Sequence, residues 1–252
     1  MSVIDFRRAS YPLVLAAACT LAPEAVRAGV VVDSTRVVYI STKREVSVSM
    51  RNVGDRPSLV QIWIDAGDPS VRPGNDTVPF ALTPPLFRLD PAKAQTLRLI
   101  YTREPLAKDR ETVFWLNVLD IPPRASSGPE PSNRLEMAFR HRLKLFFRPS
   151  GLPGSADSAA ASVTWSVARR GEDVVLEARN PTPFFVSFAE VQLAAGSGIV
   201  SGEPGMLAPF ANQQFKLSRQ AAPLIGQATV QYGFVNDFGA IVRGEAVARA
   251  AS

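Results

Sequence analysis

Fifteen consecutive residues, Arg134 to Arg148, read RLEMAFRHRLKLFFR, and no other stretch constrains the fold as tightly. Of the seven odd positions from 135 to 147, six are apolar; of the eight even positions, six are charged. Successive side chains of a strand point to opposite faces, so this alternation predicts a strand. A helical stripe through Leu135, Ala138, Phe139, Leu143 and Phe146 leaves Met137, Leu145 and Phe147 on the polar side. At about 3.4 Å per residue the strand runs roughly 50 Å, whereas strands of 3 to 10 residues are the norm. It overshoots one small core. His141 divides the apolar row into two triplets, and two readings stay open. Either both triplets face the chain's own core, or the first faces another protein across an open sheet edge, as strand addition requires.

The same period of two recurs along the chain. Val46, Val48 and Met50 alternate with polar neighbours, as do Val60, Ile62 and Ile64, then Leu97, Leu99 and Tyr101, then Phe114, Leu116 and Val118 before Pro122-Pro123. Strands are expected again at 163–167, 174–178, 184–193, 215–217 and 228–234, with a turn at Asn236 to Gly239. Between the two groups, Ser150 to Ala161 is small and polar and reads as a linker or a loose first edge. The pattern predicts an all-β chain of two immunoglobulin-like β-sandwich domains, 29–149 and 150–252, each of roughly seven strands.

Residues 1–28 have a different grammar. Arg7 and Arg8 precede an apolar run from Tyr11 to Ala22, and a small residue stands at Ala28 with Val26 two places earlier. This is the pattern of a secretory signal peptide cut after Ala28. The run is too short to span a bilayer, and no later stretch reaches 18 apolar residues, so no stable membrane insertion is expected. Ala16 is small for a lipid-attachment motif at Cys19, and the Arg7-Arg8 pair is a weak hint of twin-arginine export. Export separates the mildly basic chain, formally +5, from cytoplasmic nucleic acid.

Chemistry is scarce. One histidine and one cysteine provide no metal cluster and no internal disulfide, so no metal and no cofactor is expected. No GxSxG, GxxxxGK[ST] or HExxH occurs, and no catalytic residue is assigned. Arg140, Arg142 and Lys144 have only His141 between them and Phe146 beyond, which lacks the aromatic platforms of a nucleic-acid binder.

Six segments in order resemble the periplasmic chaperones of the chaperone-usher pilus pathway, the PapD-like family. They are the opening strand VVVDSTRVVYI (30–40), TPPLFRLDP (83–91), LAKDRETVFWLNVLDIPPR (106–124), RLKLFFRP (142–149), NPTPFFVSF (180–188) and NDFGA (236–240). The resemblance implies two immunoglobulin-like domains in an L-shaped, boomerang arrangement and a non-enzymatic chaperone with pilus or fimbrial subunits and the outer-membrane usher as partners. It implies a cleft in which Arg36 and Lys144 bind the subunit's C-terminal carboxylate. It makes Leu135, Met137 and Phe139 a donor row that completes the subunit's unfinished sandwich. It makes Glu111, Arg148 and Asp237 a charged cluster bridging the domains, expected to be exposed, and so to set orientation more than stability. Phe139 is bulkier than the aliphatic residue common at its place, and the 125–133 hairpin lacks cysteines.

The competing reading is a secreted immunoglobulin-like adhesion or binding module, which the sandwich architecture alone permits. Against it stand two complete domains behind a leader and the joint occurrence of Arg36, Lys144 and the apolar triplet.

Overall fold

The computed structural model describes residues 29–74, 77–123, 137–170, 173–195, 198–217 and 228–250. The leader assigned to residues 1–28 lies outside the described residues.

Among the described residues, nine strands make the first sandwich: β1 (Val30–Val32), β2 (Arg36–Ile40), β3 (Val46–Asn52), β4 (Ser58–Asp65), β5 (Phe80–Thr83), β6 (Leu86–Leu89), β7 (Ala94–Tyr101), β8 (Thr112–Ile121) and β9 (Phe139–Arg148). One sheet has the order β1-β3-β7-β5 and the other β2-β9-β8-β4-β6. The alternating residues of β3, β4, β7 and β8 meet between the layers, where Met50, Val60, Leu97, Leu99, Leu116 and Val118 are buried. Tyr39, Phe80, Phe114 and Phe147 close one end with edge-on and stacked contacts.

Two expectations need correction. The opening segment 30–40 is not one strand: it breaks at Asp33 to Thr35, and β1 joins the four-stranded sheet while β2 crosses to the five-stranded one. The fifteen-residue alternation is paired as strand only from Phe139 to Arg148, while Met137 and Ala138 lie outside the ladder and 134–136 lie outside the described residues. The cause is the partner. Asp120 opposite Phe139 is the last pair with β8, whose ladder stops at Ile121 before Pro122 and Pro123, residues with no N–H to donate.

The second sandwich begins with a helix that the sequence reading took for linker. Helix α1 (Ala156–Ser162) is capped by Ser155, whose side chain accepts from Ser158 N–H while Ser158 returns the bond. That reciprocal box satisfies two otherwise orphaned donors, and the alanines between supply the helical propensity. Ala159 and Ala160 are buried, so the segment is part of the core.

Eight strands follow among the described residues: β10 (Thr164–Arg170), β11 (Asp173–Arg179), β12 (Val186–Ala195), β13 (Gly198–Gly202), β14 (Gly205–Leu207), β15 (Asn212–Lys216), β16 (Ala228–Val235) and β17 (Ile241–Ala250). Their hydrogen bonding runs unbroken from β13 through β12, β16, β17, β10 and β11 to β15, with β14 also on β12. A bridge between Gly202 and Leu217 ties the two ends of that path together. Trp165, Phe188, Phe215 and Tyr232 form the aromatic centre. No disulfide is needed for such a core, because packed aromatic and aliphatic side chains fill it.

Candidate functional site: one strand with two faces and an open edge

Strand β9 organises everything of interest. It pairs antiparallel with β8 from Phe139 to Phe147, but with β2 only from Lys144 to Arg148. The stretch 139–143 is therefore paired on one side, and its other edge carries no strand among the described residues. Unpaired edge amides and carbonyls are a template for another strand.

The odd residues divide at His141. Leu143, Leu145 and Phe147 are buried in the first core, whereas Met137 and Phe139 are 52% and 51% exposed. His141 itself is exposed. Of the two readings left open by the sequence, the one that buries the first triplet fails for its two described members. Leu135 lies outside the described residues.

The even residues face the opposite side of the sheet. Arg36 sits directly across the parallel β2–β9 ladder from Lys144. Arg36 Nη1 donates to the Val235 carbonyl at 2.6 Å, and its buried Nε finds no acceptor. Lys144 Nζ donates to Ser187 Oγ at 2.9 Å. Burial, and then the charge of Arg36, pull the Lys144 pKa down to about 8. Burial also lowers the Arg36 pKa, partly offset by the charges of Asp237 and Glu111. Two adjacent cations with no bonded carboxylate among the described residues could take an anion, since an oxyanion would relieve both the desolvation and the mutual repulsion.

The structure brings Glu111, Arg148 and Asp237 together. Arg148 Nε donates to Glu111 Oε1 at 2.6 Å, while its Nη1 and Nη2 grip Asp237 Oδ2 and Oδ1 at 2.6 and 2.8 Å. The expectation that this cluster is exposed is wrong. The Glu111 side chain is 1% exposed and that of Arg148 16%. Burial pushes the Glu111 carboxyl above its ordinary value, opposed by the adjacent Arg148 charge and the Phe185 N–H. For Arg148, burial is outweighed by its bonds to Asp237 and Glu111, which hold the guanidinium above its usual value.

Two loops of the second sandwich bring these partners in. In the segment 180–188, Asn180 Nδ2 bonds the Phe184 and Ala208 carbonyls and its Oδ1 accepts from Thr182 N–H. That brace presents the Pro183 carbonyl to Glu111 N–H at 2.9 Å and Phe185 N–H to Glu111 Oε2 at 2.8 Å. Phe185 also packs on Phe146, at 5.7 Å between centroids, which buries an apolar residue of the otherwise charged face. In the turn at 236–240, Asn236 Oδ1 accepts from Phe238 and Ala240 N–H, and Gly239 takes φ +86°. The turn lies so close to Thr35 that a β-carbon on Gly239 would collide with its hydroxyl.

Sequence reasoning missed Ser187, Phe146 and Phe185, whose partners are distant in the chain. It also missed the aromatic neighbours of the basic row. Arg140 lies 4.8 Å from the Trp63 ring and Arg142 4.2 Å from Trp115, rings supplied by β4 and β8. These rings are covered rather than offered, because Arg142 bonds Asp65 and Arg140 bonds Asn117, both fully buried side chains. No group of three or more metal-ligating side chains occurs among the described residues, and no helix there is long and apolar enough to cross a membrane.

The comparisons agree with this architecture. Residues 29–153 match the family described as pili and flagellar-assembly chaperone, PapD N-terminal domain, and residues 158–246 match pili assembly chaperone PapD, C-terminal domain. The chaperone protein FimB/FhaD of Bordetella pertussis is 42% identical over 227 residues, covering 88% of each chain. The crystal structure of the YadV chaperone, a probable fimbrial chaperone of Escherichia coli, is similar with a TM-score of 0.75 and 38% identity, over 87% of this chain and 100% of that one. A structure of the Salmonella enterica SafA pilin in complex with the SafB chaperone is similar at TM-score 0.70 and 27% identity, over 86% of this chain and 95% of the other. These are chaperones and not enzymes. The chain belongs to the PapD-like pilus and fimbrial chaperones of the chaperone-usher pathway.

Proposed function

We propose that this protein is exported to the periplasm by a leader spanning residues 1–28 and there binds, folds and caps pilus subunits before they reach the outer-membrane usher. The observation that carries this reading is the arrangement of β9: a free edge with Met137 and Phe139 exposed, next to a pair of half-buried cations with no carboxylate among the described residues bonded to them.

A subunit that lacks one strand of its sandwich exposes an apolar groove flanked by unpaired backbone groups. The free edge of β9 supplies backbone bonds that are blind to sequence, while Leu135, Met137 and Phe139 enter the groove at every second position. Burying each large apolar side chain contributes about 1.5–3 kcal/mol. A two-residue slip along the strand would preserve the alternation, so alternation alone leaves the register open. Arg36 and Lys144 close that freedom by holding the terminal carboxylate at one place, where charge-assisted bonds are roughly twice as strong as neutral ones. Every subunit has such a carboxylate. Release needs no nucleotide, since the strand of the next subunit can replace the donor. Glu111, Arg148 and Asp237 fix the angle between the two domains, 29–149 and 150–252, and so keep Ser187 and Val235 against the anchor.

Co-purification from a periplasmic extract, with the tagged protein beside an Arg36→Ala, Lys144→Ala double variant, tests this. A small secreted protein held one-to-one by the first and lost from the second is the expected result. A partner retained equally by both would overturn the anchor and favour a general adhesion module.

A further inference from the structure

We infer that Asp120 is the seat of a processed amino terminus: once the chain is cut between Ala28 and Gly29, the Gly29 α-ammonium closes an ion pair with the unpartnered oxygen of the Asp120 carboxylate. The inference rests on the leader reading above and adds to it the first residue of the mature chain and the group that receives it.

Asp120 has the same parity on β8 as Phe114, Leu116 and Val118, so it points inward at the end of the core, and it is 4% exposed. Its Oδ2 accepts from Val30 N–H at 2.9 Å. Its Oδ1 is buried and has no hydrogen-bond partner among the described residues. The ladder neighbours of Asp120 are Val60 and Phe139, both uncharged, and Gly29 and Val30, at the start of β1, lie against its carboxylate. No cation among the described residues is paired with this carboxylate.

Gly29 is seated against that carboxylate. Its carbonyl accepts from Val53 N–H at 2.9 Å, and a β-carbon built on it would run into Asp120 Oδ2. Its φ lies outside the left-handed region, so the position calls for glycine because of space and not conformation. The α-nitrogen is one bond from that crowded Cα, about 1.5 Å away, which brings it within reach of the carboxylate. In the uncut chain this nitrogen is a peptide N–H with one donor fixed in the amide plane, and Oδ1 remains unpaired. Hydrolysis of the Ala28–Gly29 bond by water leaves a carboxylate on the leader and an amine on Gly29, which takes up a proton near neutral pH. An ammonium has three donors that rotate about the N–Cα bond, and it carries the charge that a buried carboxylate lacks. The cleavage grammar of Val26 and Ala28 and the packing of Gly29 at Asp120 are independent observations, and both fit a chain that starts at Gly29.

The test begins with the exported protein. Intact mass and N-terminal sequencing should place Gly29 first; a different start removes the leader boundary and this inference with it. The α-amine pKa is then read from the pH dependence of its acetylation, followed by mass spectrometry of the N-terminal peptide. In the wild type it should sit about one unit or more above the ordinary value of about 8, and in Asp120→Asn it should return to that value. Asparagine still accepts from Val30 N–H, so the fold has its bond. If that variant does not fold, an alanine inserted before Gly29 keeps Asp120 and moves the charge outward by about 3.4 Å; its α-amine should titrate near the ordinary value. A mature chain that starts at Gly29 but whose α-amine titrates at about 8 in all forms overturns the ion pair and leaves the leader reading standing.

Discussion

Arg36 and Lys144 stand side by side across the parallel β2–β9 ladder, and the groups bonded to them are neutral ones from the second sandwich, the Val235 carbonyl and the Ser187 hydroxyl. The anchor thus has walls from both domains. A hydrogen bond to a charged group contributes about 1.5–3 kcal/mol, so Arg36→Ala or Lys144→Ala should weaken subunit binding about tenfold to a hundredfold. Titration calorimetry with a peptide of the subunit's C-terminal segment checks this. The same peptide amidated at its end should bind wild type and variants alike, and a preference for the wild type that survives amidation would rule out carboxylate recognition.

Lys144 also gives binding a pH dependence. Its folded pKa of about 8 lies below the ordinary lysine value of 10.5. Between those pH values the unfolded chain holds the proton that the free native state has lost, so the free protein gains stability as pH rises through that window. Binding runs the other way. A carboxylate stabilises the ammonium, so affinity should fall as pH rises through about 8 and beyond. Lys144→Arg keeps a charge across this range and should flatten the profile. A flat wild-type profile from pH 7 to 10 would count against Lys144 as a contact of the carboxylate.

The exposed members of the donor row can be altered without touching the core. Met137→Glu with Phe139→Glu should abolish subunit capture, since two carboxylates would have to enter an apolar groove. The free protein should keep its melting temperature within a few degrees, because surface substitutions usually change stability by no more than about 0.5 kcal/mol. Leu145→Ala, on the same strand face but buried, should instead cost about 2–5 kcal/mol. Differential scanning calorimetry and co-purification separate the two effects.

Arg148 is bonded to carboxylates from both domains, and Glu111 is too buried to lose its partner cheaply. Arg148→Ala should destabilise the protein by about 3–5 kcal/mol, the usual result of leaving a buried charge alone. Asp237→Ala removes a more exposed partner and should cost less, while loosening the angle between the sandwiches. Adding Glu111→Gln to Arg148→Ala should recover part of the loss. Denaturant melts of the three variants, with small-angle scattering for the angle, check these outcomes.

The sequence displayed what depends on neighbours along the chain. Alternation in β3, β4, β7 and β8 announced the core, because each strand sorts its own side chains between core and solvent. His141 marked the place where the β9 row turns from buried to exposed. Hidden from it was everything supplied by distant segments: Ser187 under Lys144, Phe185 on Phe146, and the tryptophans beneath Arg140 and Arg142. Helix α1 was hidden for another reason. Its seven residues are alanine, serine and aspartate, and no apolar stripe distinguishes a capped helix of that composition from a linker. The burial of Glu111 was equally out of sight, since a charged residue looks solvated until a second domain covers it.

The strand order β2-β9-β8-β4-β6 has a consequence for how the protein is made. The ninth strand to be synthesised is the one that fits between the second and the eighth, so two sheet edges stay open until residue 148 is available. The second sandwich repeats the difficulty, because its last strand β17 lies between β10 and β16. Until its last strand is made, a protein proposed to shelter incomplete sandwiches is itself one.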